Sequence, residues 1–298
     1  MDDQKLLADI QSDNRDVRFA AWRAAGEASP AVIPKLGKIM GGGSPGVSKA
    51  ALEALTTITH SVGKDVSTPN RDAVAQGLLG LTAASFELAV RIHAFRLLSN
   101  IAPESMAPAV AKSLTKADVQ EEAAYCLERM PGEAPNREFL AAYKDVGDDF
   151  KPRILYALGH RRAASAVSLC LDGMQSTNVA IAIAATKAYG RIGRSGGSPP
   201  HFPDAAKLSQ SDRVDEMDSQ LRFADVQARE GNAGEAIRIY KMAMERPEEH
   251  WQCAGIVGLS KLGTAEAAAA IHPKLKSANS RVRITAENAW KSMADAQA

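Results

Sequence analysis

The clearest signal in the chain is a helical stripe of apolar residues written three times between Asp118 and Gly193. Its anchors are Val119, Phe150 and Ile181, each thirty-one residues after the last. Four and seven residues on stand Ala123 and Cys126, then Ile154 and Ala157, then Ala185 and Ala188. Leu127, Leu158 and Tyr189 follow at plus eight. Apolar residues at i, i+4, i+7 and i+8 share one face of an α-helix, so each window predicts an amphipathic helix. The small residues in the stripe let a neighbouring helix approach closely. A spacing of about thirty residues leaves room for a second helix in each copy, and stacked copies bury a continuous core.

Weaker copies extend the pattern both ways. Val17 opens one with Ala21, Ala24 and Ala25, for which Asp13 or Asp16 is the expected cap, and its partner helix covers 31–40. Val47 opens the next with Ala51, Ala54 and Leu55, after Pro45 at the expected helix start. A polar loop is predicted over 59–70, then a partner helix over 71–83. Val90 opens a third with Ala94, Leu97 and Leu98, partnered by 104–116. Beyond Gly193 the pattern stops in a Gly-, Ser- and Pro-rich run, then returns at Trp251 and at Val282, with Trp290 placed in the last stripe. The expected division is a repeat array over 1–193, a loop or hinge over 194–212, a helical hairpin over 213–247, and a repeat with a terminal cap over 248–298. The fold class this predicts is all-α: a right-handed α-α superhelix, a solenoid of about eight helical hairpins.

The segments EEAAYCLERMPG, FKPRILYALGHRRAASAVSLCLDGM and NVAIAIAATKAYGRIG resemble HEAT repeats of the short type found in phycobilin lyases and many bacterial repeat proteins, including those of planctomycetes. Residues 231–247 resemble the second helix of a tetratricopeptide repeat, with Ala236, Tyr240 and Ala243 in step. Its first helix departs from that pattern, with Gln220 and Gln227 where aromatics are usual. What the resemblance implies is a fold rather than a reaction, because HEAT arrays carry unrelated activities.

Composition narrows the functions open to such an array. The 298 residues carry a formal net charge of +1, which argues against a protein that holds nucleic acid through many phosphate contacts. Cys126, Cys170 and Cys253 form no CxxC pair, and free buried thiols are the expectation. The opening MDDQKLLADI is no signal peptide and no apolar run spans a bilayer, so no membrane partner and a cytoplasmic location are expected. The His-Glu pairs of the di-iron deoxyhypusine hydroxylases, which share the HEAT architecture, are absent. Only His250 and Cys253 fall at a helical step, too few ligands for zinc. No GxSxG, P-loop or GxGxxG occurs. The expectation is therefore no catalytic residues, no metal, no cofactor and no enzyme activity, but a scaffold whose second helices hold a protein or peptide on a concave face or turn edge. The alternative is an accessory factor of an enzyme system acting on a cofactor or nucleic acid, in the manner of bilin lyases or HEAT-like DNA glycosylases.

One column of residues looks like a site. Ten residues after the regular anchors stand Arg129, His160 and Arg191, and equivalent positions of stacked repeats lie roughly 10 Å apart. The plus-eleven position is apolar at Ile58, Ile101, Met130, Ile192, Leu262 and Met293, but it is Arg161 in the middle copy. Arg162 and Arg194 add to the charge. Arginine forks suit carboxylates and phosphates, so the column predicts an acidic partner segment. Basic last turns are also a general helix preference that needs no ligand, and the pattern leaves both readings open.

Overall fold

The computed structural model describes residues 2–194 and 202–295. Among them the protein is all-α, an array of short antiparallel helices with no strand. Gly196, Gly197, Pro199 and Pro200, expected to form the centre of a hinge, lie outside the described residues. The chain divides into two compact units, Met1–Gly147 and Asp148–Ala298.

The first unit contains α1 (Asp3–Ile10), α2 (Arg15–Ala24), α3 (Ile33–Gly42), α4 (Pro45–Gly63), α5 (Arg71–Gly80), α6 (Leu88–Leu98), α7 (Ala107–Ala111), α8 (Gln120–Arg129) and α9 (Ala134–Ala142). Helices α2, α4, α6 and α8 pack one on the next, with α3 beside α5 and α7 beside α9. Their shared core is small: Ala51, Ala54, Ala94 and Ala123 are all sealed from solvent. Two side chains tie neighbouring hairpins together. The Glu104 carboxylate accepts the backbone N–H groups of Glu133 (2.8 Å) and Ala134 (2.6 Å), capping α9 from the hairpin before it. Arg91, buried within α6, donates to Asp118 just ahead of α8 and to the Thr82 carbonyl.

Several sequence expectations are corrected here. Helix α4 continues four residues past the expected loop boundary at 59, to Gly63. Thr59 is buried and its hydroxyl donates to Leu55 O (2.8 Å), Ser61 does the same to Ile58 O (2.8 Å), and Val62 is buried. Residues that read as turn formers thus satisfy themselves inside the helix. The cap of α2 is Asn14, whose side chain accepts Asp16 N–H, rather than Asp13 or Asp16. Val119 and Phe150 are buried as expected but stand one residue ahead of their helices.

The second unit contains α10 (Lys151–His160), α11 (Val167–Met174), α12 (Val179–Ile192), α13 (Gln210–Arg229), α14 (Ala233–Glu245), α15 (Glu249–Leu262), α16 (Ala265–Ile271) and α17 (Ser280–Asp295). Helices α10, α12, α13, α15 and α17 form the succession that corresponds to first helices, each packed on the next. α12 packs on α11, and the twenty-residue α13 lies directly against it. Tyr189 and Phe223 stack across that contact at 4.6 Å, and Lys187 pairs with Asp215 at 3.0 Å. Gln220 and Gln227 are buried in α13. Gln227 donates through Nε2 to the carbonyl of Gly193, the left-handed residue (φ 72°) that closes α12, and accepts from Asn232 at 2.9 Å. Trp251 packs in the core, whereas Trp290 is 37% exposed, because α17 is the last helix and has no neighbour on its far side among the described residues.

Candidate functional site

A strongly charged recess in the second unit forms where α10 and α12 meet α13. Close backbone approach builds it. A β-carbon on Gly159 would lie 2.7 Å from the Cα of Ala188, so only glycine lets α12 sit this near α10. The end of α10 is then shaped by a Schellman turn: Ala163 N–H donates to Leu158 O (3.0 Å) and Arg162 N–H to Gly159 O (3.1 Å). Arg162 takes the left-handed conformation (φ 51°) that this turn demands. At the ends of α12 and α15 the left-handed residue is glycine, Gly193 and Gly263. An arginine there costs about 1–2 kcal/mol of backbone strain, of the kind that gathers at functional positions.

The resulting groove, about 670 Å³, is lined by His160, Arg162 and Arg191 on one side and by Asp218, Leu221, Arg222, Asp225, Val226 and Arg229 of α13 on the other. Arg191 is held by stacking, its guanidinium carbon 4.8 Å from the Tyr156 ring centre. Arg153 approaches the same ring at 5.6 Å, and His160 lies 4.5 Å from it. The Nη1 of Arg191 is shielded from solvent and has no acceptor among the described residues. Asp225, by contrast, has a partner: the Tyr240 hydroxyl donates to its Oδ1 at 2.7 Å. Burial, then Asp225 itself, pushes the Tyr240 pKa up, so the phenol stays a neutral donor.

Of the six column residues, His160, Arg162 and Arg191 meet in this groove. Arg161 is half-buried at the turn, Arg194 is exposed at the end of the described segment, and neither lines it. Arg129 belongs to the first unit, where its guanidinium lies 5.5 Å from the Tyr125 ring. The column missed the α13 residues entirely. Their signal was available as a stripe of charge at steps of three and four, from Asp218 through Arg222 and Asp225 to Arg229. The recesses that share Asp225 are lined mainly by α10, α12, α13, α15 and α17, with Tyr240 of the second-type helix α14 joining two of them.

The first unit has a recess of its own, about 470 Å³, where Phe19 and Trp22 meet edge to face at 5.2 Å beside Arg15, Arg18, Lys49 and Glu53. Its central arginine is already satisfied, because Arg18 donates to the carbonyls of Ser12 (2.6 Å) and Asp13 (3.0 Å). Among the described residues no group of three or more His, Cys, Asp or Glu side chains is placed to hold a metal ion. None of the described helices is long and apolar enough to cross a membrane. The Cys126 and Cys170 thiols are buried, and burial pushes both pKa values up to about 12.

No protein-family model matches the chain, and no curated protein matches it in sequence. Similar solved structures include importin beta crystallised in ammonium sulfate (TM-score 0.47, 13% identity, 98% of this chain and 52% of that one). Importin beta crystallised in polyethylene glycol is similar to the same degree (TM-score 0.47, 13% identity, 98% and 54%). Kap121p bound to Nup53p is a third (TM-score 0.49, 10% identity, 97% and 41%). The chain therefore spans about half or less of the length of these proteins.

Proposed function

We propose that the protein is a non-enzymatic binding scaffold whose second unit holds an acidic segment of a protein partner in the α10–α12–α13 groove. The observation that carries this reading is Arg191. A shielded guanidinium N–H without an acceptor costs about 1–3 kcal/mol, and a ligand carboxylate would remove that cost. Three further arginines, Arg162, Arg222 and Arg229, face the same space, and their planar forks suit carboxylates. Arg161 and Arg194 act in this reading only as surrounding positive field. In this reading the hairpin over 213–247 supplies the far wall of the groove through α13.

The test is fluorescence anisotropy of a labelled decaglutamate peptide against the full chain at low salt. Replacing Arg162 and Arg191 together by Glu should weaken binding by about tenfold or more, the scale of lost charge-assisted pairs, with an unchanged melting temperature. Binding that survives the double reversal undiminished overturns the reading. Single-stranded DNA of equal charge as competitor separates it from a nucleic-acid site, because a groove built for a peptide should not prefer the DNA.

A further inference from the structure

The groove does not end at α13. Asp225 lines three adjoining recesses: the basic one of about 670 Å³, a second of about 350 Å³ with Tyr240 and Lys261, and a third of about 450 Å³ that reaches Arg281 on α17. The path from α12 to α17 is thus bordered mainly by arginines, with Asp218 among them, at its α12 end, by Asp225 where the three recesses meet, and by Lys261 and Arg281 at its far end. Arg162 and Arg191 border one side of Asp225, and Lys261 and Arg281 border the other. The Tyr240 hydroxyl engages Asp225 Oδ1, which fixes the carboxylate within the path.

We propose that this path selects its segment by charge order, taking an extended stretch of the partner that runs acidic, basic, acidic. The proposal rests on the acidic-segment reading above and adds to it a middle position of opposite sign. A uniformly acidic segment laid along the path would bring a carboxylate against Asp225, and like charges at an interface are a penalty that suppresses wrong partners. The spacing is set by the helices. Packed helices lie about 8–10 Å apart and an extended chain rises about 3.3 Å per residue, so the sign should change about every three residues. The apolar Leu221 and Val257, half-buried and 42% exposed respectively, lie along the same path and suit the stem of a lysine or arginine at the middle position.

Three labelled decapeptides decide this by anisotropy against the full chain at low salt. The first is Glu-Glu-Ser-Gly-Lys-Lys-Ser-Gly-Glu-Glu, the second has every sign reversed, and the third has glutamate in all six charged places. Their charge patterns read the same in both directions, so chain polarity does not matter. The first should bind about tenfold tighter than the second and about threefold tighter than the third, despite its smaller net charge. Asp225→Asn keeps an oxygen for the Tyr240 hydroxyl and should erase the advantage over the all-glutamate peptide without lowering the melting temperature. If the all-glutamate peptide binds as tightly as the first to the native protein, charge order is overturned while the acidic-segment reading stands. If neither peptide with glutamate ends binds, the acidic-segment reading itself falls.

Discussion

Gly190 faces the backbone of Ser219 across the α12–α13 contact, so near that a β-carbon there would fall 3.0 Å from the Ser219 carbonyl carbon and closer still to its oxygen. No side-chain rotation relieves a backbone clash. Gly190→Ala should therefore destabilise the second unit by about 1–3 kcal/mol, the usual range for overpacking. Gly234 in α14 is the control, since a β-carbon there meets nothing within 4 Å. Gly234→Ala should stabilise by about 0.4–1 kcal/mol through the unfolded chain. Denaturant midpoints followed by tryptophan fluorescence check both, and equal shifts in the two variants would rule out the proposed contact.

The same tightness governs the alanine stripe. Ala157 and Ala185 are both fully buried, and the Ala185 methyl would lie 2.8 Å from a β-carbon placed on Gly173. Leucine at either position has no room, so Ala157→Leu and Ala185→Leu should each cost about 1–3 kcal/mol. Midpoints that do not move would place these residues at the surface.

A pH-dependent tie holds the first unit. Asp118 is bonded to the buried Arg91, and that hydrogen bond holds its carboxyl below the usual aspartate value. A depressed folded-state pKa contributes stability that is present above the unfolded pKa, near 3.8, and is lost as the pH falls through the lower folded value. Asp118→Asn should thus melt below the native protein at pH 7, and the gap should close in acid beneath that window. A gap that stays constant from pH 7 down to about 2 would contradict the linkage.

The repeat architecture was legible because one physical rule wrote it several times: a helix that buries small apolar residues at i, i+4, i+7 and i+8 must show them at those steps. What the sequence hid are places where polar side chains do the work of apolar ones. Thr59 and Ser61 look like loop residues until their hydroxyls are seen bonded to the carbonyls one turn back. Gln220 and Gln227 look like decay of a tetratricopeptide pattern, yet both are buried. The candidate groove was half legible for a similar reason. Register between successive repeats brings His160 and Arg191 to one level, but it cannot show that Arg162 turns left-handed or that α13 supplies the opposite wall from some sixty residues downstream.

Gln227 makes this measurable. Its amide donates to the Gly193 carbonyl and accepts from Asn232, so it joins the end of α12 to the turn after α13. Gln227→Leu keeps the volume but strands both partners, and should destabilise by about 1–3 kcal/mol. A neutral or stabilising effect would mean that the aromatic-type packing of an ordinary tetratricopeptide helix could have served there equally well.

Cys253 offers a readout of the path without any added label. It is half-buried and lines the same recess as Lys261 and Arg281, with Thr285 Oγ1 3.4 Å from its sulfur. Cys126 and Cys170 are sealed in the core, and their thiols, pushed up to about 12, are protonated at neutral pH. The thiolate is the reactive form, so a disulfide reagent at pH 7.5–8 should titrate about one thiol in the native protein and about three in denaturant. A segment lying along the path must pass Cys253, and saturating acidic-basic-acidic peptide should slow the native reaction while leaving the denatured count unchanged. The sign-reversed peptide is the internal control and should leave the rate alone. If all three thiols react natively, the buried positions of Cys126 and Cys170 are wrong. If Cys253 reacts at the same rate with and without a peptide shown to be bound, that peptide does not extend past α13 to α15, and the path is shorter than the three recesses suggest.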